Sequence, residues 1–227
     1  MSEPELKAPI GIFGGTFAPI HNGHLRLAIE LREQLELERV LVLPAGSPPH
    51  RAAPSVPTAR RVEWTRLAVR SEPGLEIDTR ETARGGPSYS YDSVAALRRE
   101  LGADRPLCLL LGDDAANQFH TWHRWREMLD LAHLIFVERP YEPPSPSPDL
   151  VALLRGRRVS DAKALAQAAH GCWMACSIPP LAISSTRIRR LLAAGRSIRG
   201  LVPDAVADSL SVADIDALSR DEDPAYD

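Results

Sequence analysis

The chain has 227 residues, of which 44% are hydrophobic and 25% charged, and a formal net charge of −3. That length suits one α/β domain with a sizeable core and at most a small C-terminal appendage. The charge balance gives no electrostatic basis for non-specific attachment to nucleic acid, and no apolar run approaches the ~20 residues of a membrane span, so neither is an expected partner.

The three cysteines, Cys108, Cys172 and Cys176, are odd in number and form no CxxC pair, which points to reduced thiols. The opening Met-Ser-Glu-Pro-Glu has neither a basic nor an apolar region, so no signal peptide is expected and the expected location is cytoplasmic.

Along the chain, short apolar runs alternate with helical patterns. Ile10–Phe13, Val40–Leu43, Leu75–Ile77, Leu107–Leu111, Leu134–Val137 and Trp173–Ser177 read as strands, apolar on both faces as buried parallel strands are. Between them, Leu27/Ala28/Leu31/Leu35, Val62/Leu67/Ala68 and Val94/Leu97/Leu101 recur at helical spacing. The alternation predicts an α/β, Rossmann-like parallel sheet with helices on both faces. Tyr141–Pro148, with its repeated prolines, reads as an exposed loop. From Ser184 a small C-terminal helical region runs through Val206 and Leu210 to an acidic tail. The expected division is an α/β core, 1–180, and a C-terminal helical region, 181–227.

Chemistry concentrates first at Gly14-Gly15-Thr16-Phe17-Ala18-Pro19-Ile20-His21-Asn22-Gly23-His24, where the first strand meets a helix. Glycines allow close backbone approach, and a helix N-terminus suits phosphate. His21 and His24 add ring donors within one turn. Two such histidines could instead hold a metal, but no Asp or Glu lies between Gly14 and Leu25 to join them.

Ser184-Ser185-Thr186-Arg187-Ile188-Arg189 repeats the theme, with hydroxyls before a helical stripe. Plain capping by a hydroxyl explains the serines. Arginines in a first turn oppose the helix dipole, and a bound anion would reconcile them with it. Pro48-Pro49-His50-Arg51 could aim a basic pair at phosphate or be a solvated loop. Gly86-Pro87-Ser88-Tyr89-Ser90 is a turn and cap or a substrate contact. Gly112-Asp113-Asp114 follows a buried strand, where an acid can bond a ribose hydroxyl. Beyond it, Trp122-His123-Arg124-Trp125 offers rings for stacking or for the core, and Trp125 reads as core.

Taken together, the segments GGTFAPIHNGH, SPPHR, GGPSYSYDS, LGDDAANQFHTWHRW and ISSTRIR resemble the HxGH nucleotidyltransferase family. PSYS and TWHRW resemble its nicotinate-nucleotide adenylyltransferase branch. The resemblance implies adenylyl transfer from ATP to nicotinate mononucleotide, releasing pyrophosphate, with Mg²⁺ accompanying ATP and no metal ligands from the protein. It implies His21, His24 and Arg189 as catalytic residues. Gly14, Gly15, Thr16, Phe17, Gly23, His50, Arg51, Gly112, Asp114, Ser184 and Ser185 would bind ATP, and Tyr89, Ser90 and Trp122 the mononucleotide. Ala18 departs from the family's GGTFDP, where an Asp is usual.

Overall fold

Alternate burial of apolar runs builds a single sheet. In the computed structural model, which describes residues 7–48, 54–138, 146–179 and 181–221, and of Asp113, Asp114 and Glu138 the backbone alone, β1 (Ile10–Gly15), β2 (Arg39–Pro44), β3 (Leu75–Ile77), β4 (Leu107–Leu111), β5 (His133–Glu138) and β6 (Trp173–Ser177) align in parallel. Their order is β3-β2-β1-β4-β5-β6, which reverses between β1 and β4. Ile10 lies opposite Leu107, and Leu134 lies opposite Trp173. All of β4 and the first four residues of β1 are buried, as befits strands covered on both faces. The chain therefore adopts the α/β, Rossmann-like parallel fold expected of it. The strands differ from expectation only at their ends, where β1 runs on through Gly14 and Gly15.

Parallel neighbours need crossovers, and helices supply them. In chain order these are α1 (Asn22–Gln34), α2 (Thr58–Val69), α3 (Arg80–Arg84), α4 (Ser90–Leu101), α5 (Asp113–Gln118), α6 (Pro148–Leu154), α7 (Ala162–Ala166), α8 (Ser185–Ala193), α9 (Asp204–Ser209) and α10 (Val212–Arg220). Two 3₁₀ turns cover Phe119–Thr121 and Trp125–Asp130. In α1 the stripe Ala28, Leu31, Leu35 is buried, and in α4 Val94 and Leu97 are. α2 departs from the expected stripe. Its buried side chains are Arg61, Trp64, Thr65, Ala68 and Val69, while Val62 and Leu67 are half-buried. A guanidinium can occupy an interior position when its N–H groups are bonded, and hydropathy does not register that.

The proline-rich stretch is also corrected at its end. Residues 139–145 lie outside the described residues, but Pro148 opens α6, and Ser147 caps it by accepting the Leu150 N–H. Proline costs little at a first helical position, where the N–H has no partner in any case.

The chain forms two compact units. One comprises Met1–Phe13, Ile29–Leu41 and Tyr89–Pro179. Its centre is β4, β5 and β6, and Arg98 gathers the carbonyls of Leu131, Ala169, Gly102, Ala103 and Arg105. The other comprises Gly14–Ala28, Val42–Ser88 and Pro180–Asp227. There Arg60 of α2 bonds both carboxylate oxygens of Asp214 and the Ser209 carbonyl. Asp214 also closes a capping box with Ser211 at the start of α10. Burial alone would raise the Asp214 carboxyl, but the bonds from Arg60 and Ser211 prevail and hold it at about 2.

The three cysteines are free thiols. Cys108 and Cys176 are buried, and burial pushes the Cys108 thiol well above its usual value. No helix among the described residues is long and apolar enough to cross a membrane.

Candidate active site

β1 ends where its residues lose cover. Gly14 is exposed, and a Cβ added there would meet nothing within 4 Å. The chain then turns through Thr16 and Phe17 to a cis Ala18–Pro19 peptide and into α1. Phe17 takes a left-handed backbone conformation (φ 50°) that a bulky residue adopts only under constraint. Its ring is buried edge-on to His24, with centroids 5.0 Å apart.

His21 and His24 form a reciprocal pair. The His21 N–H donates to His24 Nδ1 and the His24 N–H donates to His21 Nδ1, each at 3.3 Å. Their rings stack with centroids 3.6 Å apart and planes 19° from parallel. A Cβ at Gly23 would lie 3.1 Å from His21 Nδ1 and 3.2 Å from its Cε1, so the intervening glycine leaves room for the stack. Burial lowers His21 to about 4. Burial, and then the neighbouring His21, hold His24 well below the usual imidazole value. The His24 N–H also donates to the His21 carbonyl at 2.9 Å; both rings are neutral at pH 7, and a neutral imidazole whose Nδ1 accepts carries its proton on Nε2. The pair therefore sets two neutral, stacked imidazoles at the start of α1. That start is anchored by Asn22, whose backbone N–H donates to the Leu201 carbonyl and whose side chain donates to the Gly200 carbonyl, each at 2.9 Å.

α8 approaches the same loop. Ser184 caps it by accepting the Arg187 N–H at 3.1 Å. Ser185 Oγ donates to the Pro19 carbonyl at 3.0 Å. Arg189 donates to the Ala18 carbonyl at 3.1 Å, to the Asp221 carbonyl, and to Thr186 Oγ1. Arg187 reaches the Ala182 carbonyl. Ser185 and Arg189 thus hold the loop by its backbone. Ala18 contributes only its carbonyl to this bond, which any residue at position 18 could supply.

A third element of this unit is the turn after β2. Arg61 Nη1 donates to the carbonyls of Thr16 (2.8 Å) and Ala45 (2.6 Å), and its Nη2 donates to the Gly46 carbonyl (3.1 Å) and Thr58 Oγ1 (3.0 Å). Ser88 Oγ accepts the N–H groups of Gly46 and Ser47. A Cβ at Gly46 would stand 2.6 Å from the Glu81 carbonyl oxygen, so only glycine passes. His50 and Arg51, which follow, lie outside the described residues.

In the other unit, Gly112 precedes α5 as its N-cap in extended conformation, and no atom lies within 4 Å of a Cβ built there. Asp114 lies in α5, and its side chain is outside what is described. Tyr89 is the N-cap of α4 and Ser90 its first residue. The Tyr89 ring lies against His123, with centroids 4.3 Å apart. Arg124, itself left-handed at φ 53°, sits 3.9 Å over the Tyr91 ring. Trp122 is half-buried, with Phe119 behind it at 5.5 Å. Trp125 is buried edge-on to Phe119, as its core reading expects.

Residues 12–191 match the family described as Cytidylyltransferase-like. The chain belongs to that family. It is 48% identical over 204 residues to the "Probable nicotinate-nucleotide adenylyltransferase" of Chromohalobacter salexigens, covering 89% of this chain and 93% of that one. It is 45% identical to the protein of the same name from Aeromonas salmonicida, covering 89% and 94%. Among solved structures, its fold is similar to the nicotinic acid mononucleotide adenylyltransferase of Plasmodium falciparum complexed with NaAD. The TM-score there is 0.64 at 15% identity, covering 94% of this chain and 96% of that one.

Within this cytidylyltransferase-like chain, sequence reasoning missed Arg61 and Ser88 as supports of the loops. Arg61 carried a signal, since it stands at helical spacing with Trp64, Thr65 and Ala68. Ser88 carried none beyond its turn, because its partners lie 41 and 42 residues away.

Proposed function

We propose that this protein joins ATP to nicotinate mononucleotide, forming nicotinate adenine dinucleotide and pyrophosphate. The observation that carries this reading is the stacked His21–His24 pair, neutral and held by its own backbone bonds, at the N-terminus of α1 in the segment that begins at the open Gly14. The names borne by the relatives supply the acceptor. Residues 1–180 act as the nucleotide-binding core, and 181–227 complete it through Ser185 and Arg189.

The nucleophile is a phosphate monoester, already ionised at pH 7 with a second pKa of ~6, so no general base is needed. The difficulty is to bring two anions together and to stabilise charge on the transferring phosphorus. His24 and His21 donate Nε2–H bonds to the triphosphate without first needing a proton. Gly14 and Gly15 let the backbone of β1 approach it, with Thr16, Phe17 and Gly23 shaping the same loop. Arg189 and Ser185 fix that loop while Ser184 caps α8 for the same site, and Arg189 supplies positive charge beside it. His50 and Arg51 add charge from the following turn. Gly112 and Asp114 bind the adenosine. Tyr89, Ser90 and Trp122 form the nicotinate pocket, where Trp122 stacks on the pyridine ring and the backbone at Ser90 meets the carboxylate.

Mg²⁺ favours hard oxygen ligands. The described residues hold no group of three His, Cys, Asp or Glu placed to bind a metal, and neutral imidazoles are poor partners for it. The triphosphate itself offers such oxygens, and a metal carried on them as part of the substrate would neutralise charge there. The reaction needs only soluble nucleotides, which is consistent with a cytoplasmic enzyme.

A pyrophosphate-release assay tests the reading. With ATP and Mg²⁺, nicotinate mononucleotide should be consumed in preference to its amide counterpart and to phosphopantetheine. Release with phosphopantetheine alone would move the protein to another branch of the family.

A further inference from the structure

We propose that Arg61 is a positioning residue of the triphosphate site, setting the direction of the peptide groups that follow β1 and β2. The inference rests on the reading of the Gly14–His24 loop as that site. Arg61 is 1% exposed and bonds three backbone carbonyls, those of Thr16, Ala45 and Gly46. Among the described residues its guanidinium bonds no carboxylate, and its Nε is buried without a partner. A buried charge is costly in a position that an apolar side chain could fill. Its use must lie in what it bonds.

Those bonds set geometry. A trans peptide points its C=O and the following N–H in opposite directions. With the Ala45 and Gly46 carbonyls turned to Arg61, the N–H groups of Gly46 and Ser47 turn the other way, where Ser88 Oγ accepts both. The same guanidinium takes the Thr16 carbonyl, and the Ala45 N–H donates to the Gly15 carbonyl at 2.9 Å. Arg61 therefore ties Gly15–Phe17 to the turn that leads into His50 and Arg51. It also constrains the chain on the near side of Phe17, while Arg189 and Ser185 hold Ala18 and Pro19 beyond it. The left-handed Phe17, whose ring packs on His24, is thus fastened on both flanks.

The test uses full-length wild type, Arg61→Lys and Arg61→Ala, with thermal melts to establish folding. ATP affinity is read by calorimetry, and kcat and KM are measured for both substrates. Arg61→Lys should bind ATP at least ~10-fold more weakly and turn over as much as ~10²-fold more slowly, the scale of a displaced reacting group. KM for nicotinate mononucleotide should stay within about twofold. Added methylguanidinium should restore part of the ATP affinity of Arg61→Ala. Wild-type ATP affinity in Arg61→Lys would overturn the proposal, as would equal losses for both substrates that follow the unfolded fraction. Should neither variant fold, Ser88→Ala reads the same turn from its other face, and unchanged ATP affinity there overturns it. If wild type binds ATP but releases no pyrophosphate, the catalytic reading fails while calorimetry still decides Arg61. If wild type does not bind ATP, both fail.

Discussion

Lowering the pH should destabilise this protein through its histidine pair. The unfolded chain carries His21 at the ordinary value of 6.5, whereas the folded chain holds it at about 4. Between those values the unfolded state binds more protons, so stability falls as pH falls from about 6.5 to about 4. Integrating that difference for His21, which is 5% exposed, gives about 2 kcal/mol lost at pH 5 relative to pH 8. His24 is lowered as well and adds to the loss in the same direction. Carboxylates titrate in the same range, so the measurement is a double difference. Urea unfolding of wild type and of His21→Gln is recorded at pH 8 and at pH 5, and the change in wild type minus the change in the variant reads His21 together with its coupling to His24. A double difference under ~0.5 kcal/mol would refute the burial argument. An NMR signal for a proton on Nδ1 of either ring would refute the tautomer.

Three other outcomes follow from the site. His24→Ala should cut turnover by at least ~10²-fold, the scale of losing one well-placed transition-state donor; near wild-type turnover in folded variant would remove its catalytic role. Gly14→Ala should melt like wild type or slightly higher, because its Cβ meets nothing within 4 Å and alanine restricts the unfolded chain by ~0.4–1 kcal/mol, yet it should raise KM for ATP. Unchanged ATP kinetics would show that the β1 backbone does not approach the nucleotide. Trp122→Ala should weaken nicotinate mononucleotide more than ATP, and equal effects on both would dismiss the stacking.

The strands were legible because their burial on both faces left uninterrupted apolar runs such as Leu107–Leu111. The His21–Gly23–His24 spacing was legible because one helical turn relates the two rings whatever surrounds them. Hydropathy failed at α2, where Arg61 is buried because distant carbonyls receive it, and pairs such as Arg61–Thr16 are invisible to local pattern. α3, α5 and α7 are only five or six residues long, too short for a 3.6-residue period to emerge. The hydroxyls and arginines of α8 read as a phosphate signature, and in the structure Arg187 and Arg189 also bond backbone carbonyls. Composition cannot distinguish an arginine facing an anion from one facing a carbonyl, since both offer it oxygen. The contact of Tyr89 with His123 joins α4 to a loop beyond β4, which no spacing rule reaches.

The crossed backbone bonds of His21 and His24 have a consequence for binding. Each ring is held in one rotamer before any nucleotide arrives, by a neighbour that it holds in turn. Freezing two mobile side chains on association would ordinarily cost ~0.5–1.5 kcal/mol apiece in conformational entropy. Here that loss is met during folding, so a larger part of any bond these rings make to phosphate would appear as affinity. The converse is that neither imidazole stands alone: removing one deprives its partner of a bond and a stacked face, so the pair would meet a nucleotide as one unit.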